Sequence, residues 1–498
     1  MRSLRQSLIV NSRSQPDKVA LTGMSGSMTY AELRNNVDRV IEVLKHNNVK
    51  RLGLLCDNGF SWVIADLASI FSEIVLVPIP LFFSSRQILH SIKDAGLSAL
   101  LIDKTLSISK LFHEDMLESI QFDAVDGLDL ILLKGIPSSE VPEGTGKITY
   151  TSGTTGEPKG VCLSYEQIEK VAYALCTASE SSSHDRHLCL TPLSTLLENI
   201  GGIYCPLMLG ASVCVNPLRQ VGLTGSNGFN AEMMAHSIMT SEASTIILAP
   251  QMLQSLVARV KESGLNFPKL RFIAVGGAPV SEDLLRQAHL VGLPVFEGYG
   301  MSECASVVSL NTPRSTRLGS AGHPLPHVSI SFAEDGEIRV NGSGFLGYLG
   351  DDRPVQPIPT GDIGYMDEEG FLHITGRKKS IFINSFGRNV APEWVEREFT
   401  LFPAIHQIAV FGESKPFNVA VVVQNPNSSS MDVRNAIEMV NRNLPDYAQI
   451  RDWVIADKAF SPSNLQLTAN GRLKRDSILQ AYSDLIEPLY KKESNVVF

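Results

Sequence analysis

The chain has 498 residues, more than one hydrophobic core usually supports, so two or more domains are expected. Its hydrophobic fraction of 44% and charged fraction of 19% are typical of a globular protein and exclude a largely disordered chain. The formal net charge is −9 and the basic residues are scattered, which argues against a nucleic-acid-binding surface. The expected partners are therefore small molecules.

The seven cysteines show neither a CxxC spacing nor closely spaced histidines, so neither a zinc site nor a disulfide framework is predicted. The N-terminal segment has only a four-residue apolar run, which is too short for a signal peptide. The longest apolar stretch, 201–215, is broken by Pro206 and Gly210 and falls short of the roughly 20 residues of a membrane span. A cytoplasmic protein without a membrane span is expected.

Short apolar strand patterns alternate with amphipathic helix patterns through the first 310 residues, which is typical of a parallel or mixed sheet. Early in the chain, strands are predicted at 51–56, 74–80, 98–103 and 128–133, and helices at 31–46 and 61–73. The rhythm then repeats, with helices at 231–243, 251–264 and 281–292 and strands at 245–250, 270–277 and 294–300. Two α/β layers are therefore predicted.

The pattern changes at about Gly319, where short strands at 328–332, 336–340 and 364–376 indicate a small β-rich subdomain. After Arg377, helices at 392–399 and 431–442 and strands at 405–412 and 418–424 indicate a compact α+β unit. We place the boundary at Lys378 to Ser380. The predicted fold class is α/β, with an N-terminal domain over 1–378 that includes the β-rich subdomain and a small C-terminal domain over 379–498.

A segment rich in serine, threonine and glycine runs from Tyr150 to Gly160, after a short β-branched run. Its glycines allow the backbone to approach a ligand closely, and its hydroxyls and one ammonium can hold phosphate oxygens. The spacing is not that of a GxxxxGK[ST] loop, and a solvated turn is the alternative on composition alone. The candidate phosphate-binding residues are Thr151, Ser152, Gly153, Thr154, Thr155, Gly156 and Lys159.

This segment resembles the signature of the acyl-adenylate-forming enzymes, which include acyl-CoA and aryl-CoA synthetases, peptide-synthetase adenylation domains and luciferases. Further motifs appear in the order of that family at 29–33, 276–281, 297–303, 336–340, 360–364 and 376–379. The resemblance spans about residues 29 to 475 and is closest to acyl-CoA synthetases and long-chain fatty acid–CoA ligases. The order of the motifs, more than any single one, identifies the chain as a member.

The resemblance implies a role for the polar residues in these motifs. Asp362 is expected to accept both ribose hydroxyls, with Arg377 reaching the same sugar. Glu303 is expected to hold a magnesium ion that bridges the phosphates. Tyr299 is expected to stack on adenine, with a core tyrosine as the alternative. The remaining members of the implied nucleotide-binding set are Gly277, Ala278, Glu297, Gly298, Gly300 and Ser302.

The resemblance also implies that the segment after Lys379 is a mobile lid, which rotates about that residue between an adenylate-forming and a thiol-accepting pose. Lys379 is therefore the candidate hinge, although without the resemblance it is one of two adjacent surface lysines. A glycine shortly after the hinge lines the pantetheine tunnel in the family. Gly387 occupies the matching place, and a plain turn glycine is the alternative.

The C-terminal motif departs from the family. Members place a lysine just after a turn, and that lysine contacts the reacting carboxylate and the α-phosphate. Aligned on Gly471, this chain has Arg472 there, which keeps the charge but has a planar fork in place of an ammonium. Lys474 would share one face of a β-strand with Arg472 and could replace it. Both residues, together with Glu303, are therefore candidates for a catalytic role.

A second departure lies at 192–199, where many members carry a histidine or an aromatic residue and this chain has Thr195. The stretch offers no aspartate for an α-amino group, so a free amino acid is not expected. Its ending at Glu198 and Asn199 resembles the long-chain acyl-CoA synthetases, which implies an apolar pocket for a fatty or modified acyl chain, with these three residues at its wall. The apolar residues 200–208 could equally be ordinary core.

Taken together, the resemblance implies an acid–thiol ligase that uses ATP and Mg²⁺, forms an acyl-AMP and transfers the acyl group to CoA. Two alternatives stay open. One is a stand-alone enzyme that loads a separate acyl carrier protein, and the other is a catalytically impaired nucleotide-binding homologue, suggested by the missing lysine at 472. The retained phosphate loop, Glu303 and Asp362 disfavour the second alternative. The sequence predicts neither the specific acid nor an oligomeric state.

Overall fold

The computed structural model describes residues 2–106, 116–137, 140–151, 158–224, 228–342, 344–351, 356–386, 388–468 and 471–491. Its helices are α1 Leu4–Ser14, α2 Tyr30–His46, α3 Phe60–Ser72, α4 Ser85–Asp94, α5 Tyr165–Ala178, α6 Leu196–Glu198, α7 Cys205–Leu209, α8 Ala231–Thr240, α9 Pro250–Ser263, α10 Glu282–Leu290, α11 Pro392–Arg397, α12 Ser430–Asn441 and α13 Arg475–Lys491. A π-helix, Asn199–Tyr204, lies between α6 and α7.

The strands of the first half are β1 Val19–Gly23, β2 Gly26–Thr29, β3 Arg51–Leu55, β4 Val75–Pro78, β5 Ala99–Asp103, β6 Leu117–Val125, β7 Leu128–Leu133, β8 Lys147–Thr151, β9 Lys159–Leu163, β10 Arg186–Leu188, β11 Ser212–Cys214, β12 Leu223–Thr224, β13 Gly228–Phe229 and β14 Thr245–Leu248. Those of the second half are β15 Phe272–Val275, β16 Val295–Met301, β17 Ser306–Leu310, β18 His323–Pro324, β19 Ser329–Phe332, β20 Glu337–Asn341, β21 Gly347–Tyr348, β22 Ile358–Met366, β23 Leu372–Arg377, β24 Phe382–Ile383, β25 Asn389–Val390, β26 Ile405–Phe411, β27 Asn418–Gln424 and β28 Ile450–Ile455.

A nine-stranded sheet forms the first layer, in the order β18-β17-β16-β15-β14-β10-β11-β1-β2. The neighbours β14, β15 and β16 are parallel. Their carboxyl ends therefore meet at one edge of the sheet, where ligands bind in open α/β sheets. The predicted motifs at 276–281 and 297–303 lie at this edge, because β15 ends at Val275 and β16 runs through Glu297 to Met301.

An eight-stranded sheet forms the second layer, in the order β21-β9-β8-β4-β3-β5-β7-β6. Within it β3 pairs in parallel with β4 and β5, as the alternating sequence pattern predicted. The strand β8 ends at Thr151 and pairs antiparallel with β9, which begins at Lys159. Most of the predicted phosphate loop, residues 152–157, lies between these strands in sequence and outside the described residues.

The early motif at 29–33 forms the N-terminal cap of a helix. Thr29 is the N-cap of α2, and its Oγ1 accepts a hydrogen bond from the Glu32 amide at 3.2 Å. The Glu32 carboxylate accepts in return from the Thr29 amide at 2.8 Å. This reciprocal capping box begins the helix and satisfies two amides that would otherwise lack partners.

The β-rich subdomain is a four-stranded antiparallel sheet in the order β19-β20-β22-β23. The register of β22 and β23 places Asp362 directly opposite Arg377. Two residues from separate sequence motifs therefore become cross-strand neighbours, whose side chains interact across the pair.

The C-terminal segment contains a three-stranded sheet, β26-β27-β28, with two apolar clusters of its own. Three buried residues of the α11 region pack in one of them: Val395, Phe399 and Val390. The helix α13 contributes Ile478, Tyr482 and Ile486 to the other. The predicted helices at 392–399 and 431–442 appear as α11 and α12.

These observations confirm the predicted fold class, a mixed α/β protein with a large N-terminal and a smaller C-terminal domain. The division at 378/379 stays a prediction. The prediction of a strand that carries Arg472 and Lys474 is wrong. Among the residues described there, a single bridge joins Leu467 and Leu473, and α13 begins at Arg475. No described helix is long and apolar enough to cross a membrane.

Candidate active site

Asp362, Arg377 and Tyr299 form one connected group at the junction of the first sheet and the β-rich subdomain. The Arg377 Nε lies 2.8 Å from Asp362 Oδ1. The Tyr299 hydroxyl donates to Asp362 Oδ2 at 2.6 Å. The Asp362 carboxylate is therefore held at both oxygens, and the structure brings together three residues that the sequence assigned to the nucleoside.

Burial sets the protonation behaviour of this group. Asp362 is only 4% exposed, and burial raises its pKa, although the Arg377 guanidinium and the Tyr299 hydroxyl oppose the shift. Burial also raises the pKa of the Tyr299 hydroxyl, which stays a donor to the carboxylate. Tyr299 therefore does more than offer a ring to adenine, because its hydroxyl fixes the orientation of Asp362.

Glu337, which the sequence placed in a motif without a role, supports the turn that carries Asp362. Its Oε1 accepts from the Gly361 amide at 3.1 Å and its Oε2 accepts from Lys378 Nζ at 2.9 Å. Gly361 has φ of 71°, a conformation that favours glycine. Glu337 is buried, so it joins the Asp362 turn firmly to the residue before the predicted hinge.

The glycines of the nucleotide motifs serve two different structural purposes. Gly277 has φ of 83° and, with Ala278, is exposed at the end of β15, as expected for backbone that meets a ligand. Gly298 and Gly300 instead allow β17 to approach β16, since a Cβ on Gly300 would lie 1.5 Å from the Ser306 carbonyl oxygen. Strand packing alone therefore requires a glycine at position 300.

Glu303, the predicted magnesium ligand, lies in a 3-10 turn between β16 and β17 that begins at Ser302. Its Oε1 accepts from the Tyr348 hydroxyl at 2.7 Å, and the carboxylate makes no other hydrogen bond among the described residues. The turn is followed by Ala305 and Ser306, with φ of 51° and 96°. Such left-handed non-glycine residues are costly and cluster at functional sites.

Tyr348 connects Glu303 to the predicted phosphate loop. Its ring lies 5.4 Å from the Lys159 ammonium, an exposed side chain at the start of β9. The acidic residue and the loop lysine therefore both contact the same tyrosine. A carboxylate whose second oxygen has no hydrogen bond among the described residues fits magnesium, which prefers one or two carboxylates in addition to phosphate oxygens.

Arg472 of the C-terminal segment faces this same group. Its pKa is lowered by the surrounding protein and by the nearby Arg377, while Asp362, Glu303 and Tyr299 act in the opposite direction. The side chain is nevertheless exposed to solvent. The structure thus brings Arg472 to the two acidic residues of the site.

Among the described residues, no contact joins Lys474 to the residues of the site. Its backbone connects to Gln466 and to the first turn of α13. The next residue, Arg475, is fixed to Glu396 by two bonds of 2.6 Å, which join α13 to α11. A bidentate pair of this kind is a strong structural tie.

At the predicted hinge, one lysine side chain is held by ion pairs and the next is not. Lys378 is held by ion pairs to Asp335 at 2.6 Å and Glu337 at 2.9 Å. The next side chain, Lys379, is exposed and makes no hydrogen bond or ion pair among the described residues. Gly387, the predicted tunnel residue, lies outside the described residues.

The predicted acyl-wall residues differ in their surroundings. Thr195 is partly exposed, and its hydroxyl donates to the Pro192 carbonyl at 2.7 Å. Glu198 is fully buried and accepts from the Thr191 amide at 3.0 Å, with His187 Nε2 2.8 Å from its other oxygen. These bonds hold the segment from Thr191 to Thr195 against the π-helix.

Asn199 is also engaged inside the protein. It accepts from Lys147 Nζ at 2.5 Å and donates to Asp66 Oδ2 at 2.9 Å. Lys147 and Asp66 pair at 2.8 Å, and Tyr204 contacts both. This buried network, which the sequence analysis missed, anchors the π-helix to β8, the strand that leads into the phosphate loop.

His187, Cys189 and Glu198 bring potential metal-ligand atoms within 4.8 Å of one another. Hydrogen bonds already account for the two polar side chains, since His187 Nδ1 lies 2.9 Å from the Thr245 hydroxyl and its Nε2 faces Glu198. Burial raises the pKa of the Cys189 thiol, so it does not favour a thiolate. We interpret this cluster as structural, since it supports residues 192–199, the predicted acyl-pocket motif.

Comparison with known families settles the relationship that the motifs suggested. Residues 9–349 match the family described as AMP-binding enzyme, and residues 379–494 match the AMP-binding enzyme C-terminal domain. The chain belongs to the AMP-binding enzyme family. The predicted membership is thus confirmed, and with it the class of enzyme, an acid–thiol ligase that works through an acyl-AMP.

Relatives of this AMP-binding enzyme match over nearly the whole chain. The 2-succinylbenzoate–CoA ligase of Bacillus subtilis (strain 168) is 27% identical over 95% of this chain and 97% of its own length. The indoleacetate–CoA ligase of Aromatoleum aromaticum is 25% identical over 94% and 95%. Among solved structures, the o-succinylbenzoate coenzyme A synthetase of Bacillus subtilis in complex with AMP has a TM-score of 0.78, 25% identity and coverage of 94% and 97%.

Membership of the AMP-binding enzyme family could be predicted from the sequence motifs. The roles of several residues that support the site could not. Tyr348, Glu337 and Lys147 were given no role, because each acts through a partner far away in the chain. Glu337 stood in a recognised motif and could have been suspected for that reason. Nothing in the local sequence marks Tyr348 as a partner of Glu303.

Proposed function

We propose that this chain is an acyl-CoA ligase that activates an apolar organic acid with MgATP and transfers the acyl group to CoA. The observation that carries the proposal is that Asp362 and Glu303 both lie close enough to the Arg472 guanidinium to influence its pKa. A ribose acceptor, a magnesium ligand and a cation from the C-terminal segment are the groups that adenylate formation requires.

In the proposed first step, a carboxylate oxygen of the acid attacks the α-phosphorus of ATP. The bond from that phosphorus to the oxygen leading to the β-phosphate breaks, and pyrophosphate leaves. Asp362, oriented by Arg377 and Tyr299, would hold the ribose hydroxyls, and Arg472 would stabilise negative charge at the α-phosphate. Magnesium held at Glu303 would neutralise charge on the phosphate oxygens.

The Lys159 ammonium and residues 151–156 are proposed to hold the β- and γ-phosphates, as the sequence predicts. The proximity of the two reactants and neutralisation of charge would supply most of the rate acceleration, because the protein forms no covalent bond in this step. No proton transfer is needed, since the acid reacts as its carboxylate.

In the proposed second step, the thiol sulfur of CoA attacks the acyl carbonyl carbon of the acyl-AMP. The bond between that carbon and the phosphate oxygen breaks, so AMP leaves and the thiol proton is released to solvent. Arg472 must first move away from the carbonyl. Rotation about Lys379, the first unanchored side chain after Lys378, would allow this, and Gly387 is proposed to line the thiol tunnel.

The acid is proposed to be apolar, and arylalkanoic acids come first among the candidates. The two relatives matched over more than nine-tenths of their length are named for aromatic acids, 2-succinylbenzoate and indoleacetate. A fatty acyl chain, predicted from the Glu198–Asn199 motif, comes second. Because both side chains are engaged inside the protein, we assign them a positioning role behind Thr195 in place of direct contact with the acyl group.

The test is a pyrophosphate-release assay with MgATP and a panel of arylalkanoic, benzoic and fatty acids, with and without CoA. We expect acyl-CoA and AMP in equal amounts with at least one apolar acid. Acyl-AMP that accumulates despite CoA would instead favour a separate carrier protein as acceptor. Absence of pyrophosphate with every acid would contradict the proposed function and favour an impaired homologue.

A further inference from the structure

The segment that follows α11 contacts the N-terminal domain at a place separate from the nucleotide site. The Gln254 side-chain amide, on α9, donates a hydrogen bond to the Thr400 carbonyl. The next residue, Leu401, packs against the apolar cluster formed by β14, β15 and the helices α8 to α10. One polar and one apolar contact therefore join the same turn to the same surface.

The adjacent residue Phe402 packs in the opposite direction. It lies against the core of the C-terminal segment, with Phe399 6.3 Å away between ring centroids. Leu401 is thus partly buried against the other domain, while Phe399 and Phe402 pack in the core of its own. Burying a leucine side chain in this way contributes a substantial part of a docking free energy.

The Arg397 guanidinium, at the start of the same turn, also influences a residue of the nucleotide motif. Glu297, within the nucleotide motif of β16, has its pKa raised to about 8 by burial, and the Arg397 guanidinium and the Val280 amide oppose that shift. Arg397 is the last residue of α11, and Val280 belongs to the glycine motif after β15. Residues of both segments therefore influence the pKa of Glu297.

The pose that makes these contacts is the one that brings Arg472 to the site. The docked turn and Arg472 belong to one unit, because Arg475 is fixed to Glu396 on α11 by two bonds of 2.6 Å. Docking of Leu401 therefore places Arg472 near Asp362 and Glu303. A rotation of this unit about Lys379 would break the contacts of Leu401 and Gln254 together.

We infer that residues 397–401 form a docking element that selects the adenylate-forming pose, with Leu401 and Gln254 as positioning residues. The inference rests on the proposed function, because it requires two lid poses with different tasks. A docking element of this kind shifts the population of poses by its contact free energy and touches no reactant. Weakening it should slow the first half-reaction and spare the second.

The experiment measures the two half-reactions separately in the full chain. ATP–pyrophosphate exchange with the best acid of the panel reports adenylate formation, and thioester formation from supplied acyl-AMP and CoA reports the second step. We expect Leu401→Ser and Gln254→Ala to lower exchange, the leucine variant by about tenfold, the scale of losing one apolar contact. Thioester formation should stay within about twofold, well inside the effect of one such contact.

Leu479→Ser provides the matched control, since Leu479 is a 41% exposed leucine on α13 of the same domain. The control should leave both half-reactions unchanged. Equal losses in both steps for Leu401→Ser, or no loss in either, would overturn the inference. A selective loss of exchange would support it.

Hydrogen exchange without substrates tests the contact independently of turnover. In Leu401→Ser we expect faster amide exchange in α9 and at 397–402, with unchanged protection in β26 and β27, which would show that the lid core stays folded. Unchanged protection in α9 would count against docking. If the unmodified protein forms no pyrophosphate with any acid, the proposed function fails, and this measurement alone decides whether the docking element exists.

Discussion

Asp362 and Arg377 face each other across β22 and β23, with the guanidinium Nε 2.8 Å from the carboxylate. The pair and the Tyr299 hydroxyl orient an acceptor that is almost completely buried. An oriented carboxylate can accept two ribose hydroxyls without first losing its own conformational freedom. This geometry makes the nucleoside the first ligand to test.

We predict that Asp362→Asn weakens AMP and ATP binding by about 10- to 100-fold, since a hydrogen bond to a charged group contributes roughly 1.5–3 kcal/mol. Titration calorimetry with AMP measures the loss directly. Tyr299→Phe keeps the ring but removes the donor to Asp362, so a smaller loss is expected. Asp126→Asn, at an exposed aspartate, is the control, and equal AMP affinity in all variants would contradict the assignment.

The predictability of this group from sequence has a physical basis. Asp362 and Arg377 belong to ordered motifs, and a short antiparallel hairpin makes them neighbours, so local sequence carries the contact. The network of Lys147, Asp66 and Asn199 joins residues that are 52 to 133 positions apart. No local pattern encodes such a tertiary arrangement.

Residues 192–199, the predicted acyl-pocket motif, show a second limit of prediction from sequence. The sequence indicated that Glu198 and Asn199 belong to a functional motif, but it could not show toward which side of the π-helix their side chains point. The partners decide this, since His187 and Lys147 are buried behind the motif. Because buried polar groups must be paired, the side chains turn inward.

The second prediction concerns which basic residue of the C-terminal segment acts on the α-phosphate. We expect Arg472→Ala to lower the rate of adenylate formation by about 100-fold or more, the effect of removing one preorganised charge-stabilising group. Lys474→Ala should change that rate by less than about threefold, because this half-buried lysine makes no side-chain hydrogen bond or ion pair among the described residues. Pyrophosphate exchange measures both. A large loss in the Lys474 variant with a normal Arg472 variant would reverse the assignment.

The third prediction tests the magnesium site. Glu303→Gln should raise the Mg²⁺ concentration needed for half-maximal pyrophosphate exchange, because an amide oxygen is a weaker ligand than a carboxylate. Tyr348→Phe should have a smaller effect in the same direction, as an orienting partner does when it is removed. Glu262→Gln, at an exposed glutamate, serves as the control. An unchanged magnesium requirement in Glu303→Gln would exclude Glu303 as the ligand.

The fourth prediction concerns stability. Lys147 is 1% exposed and burial lowers its pKa, while Asp66 partly compensates. Lys147→Met would leave the buried Asp66 carboxylate without its cation, which costs roughly 3–5 kcal/mol. Urea unfolding followed by circular dichroism measures the change, with exposed Lys159→Met as the control for the loss of a lysine. A difference between the two variants below about 1 kcal/mol, the size of a surface effect, would contradict the prediction.

The last prediction follows from the pKa of Glu297, which burial raises to about 8. The folded protein binds this proton more tightly than the unfolded chain, whose carboxyl has a pKa of about 4.3. The resulting stability is therefore present at low pH and is lost as pH rises from the ordinary carboxyl range through 8. Glu297→Gln cannot ionise, so it lacks this loss.

Thermal unfolding of the two proteins between pH 5 and 9 is the measurement. We expect the Tm of Glu297→Gln minus the Tm of the unmodified chain to increase with pH and to level off above 8. In the Arg397→Gln background the same Tm difference should continue to increase above pH 8, because the guanidinium that opposes the raised pKa is gone. A difference in Tm that stays constant across this range would mean that Glu297 keeps an ordinary pKa in the folded protein. That result would leave the contacts of Leu401 and Gln254 unaffected.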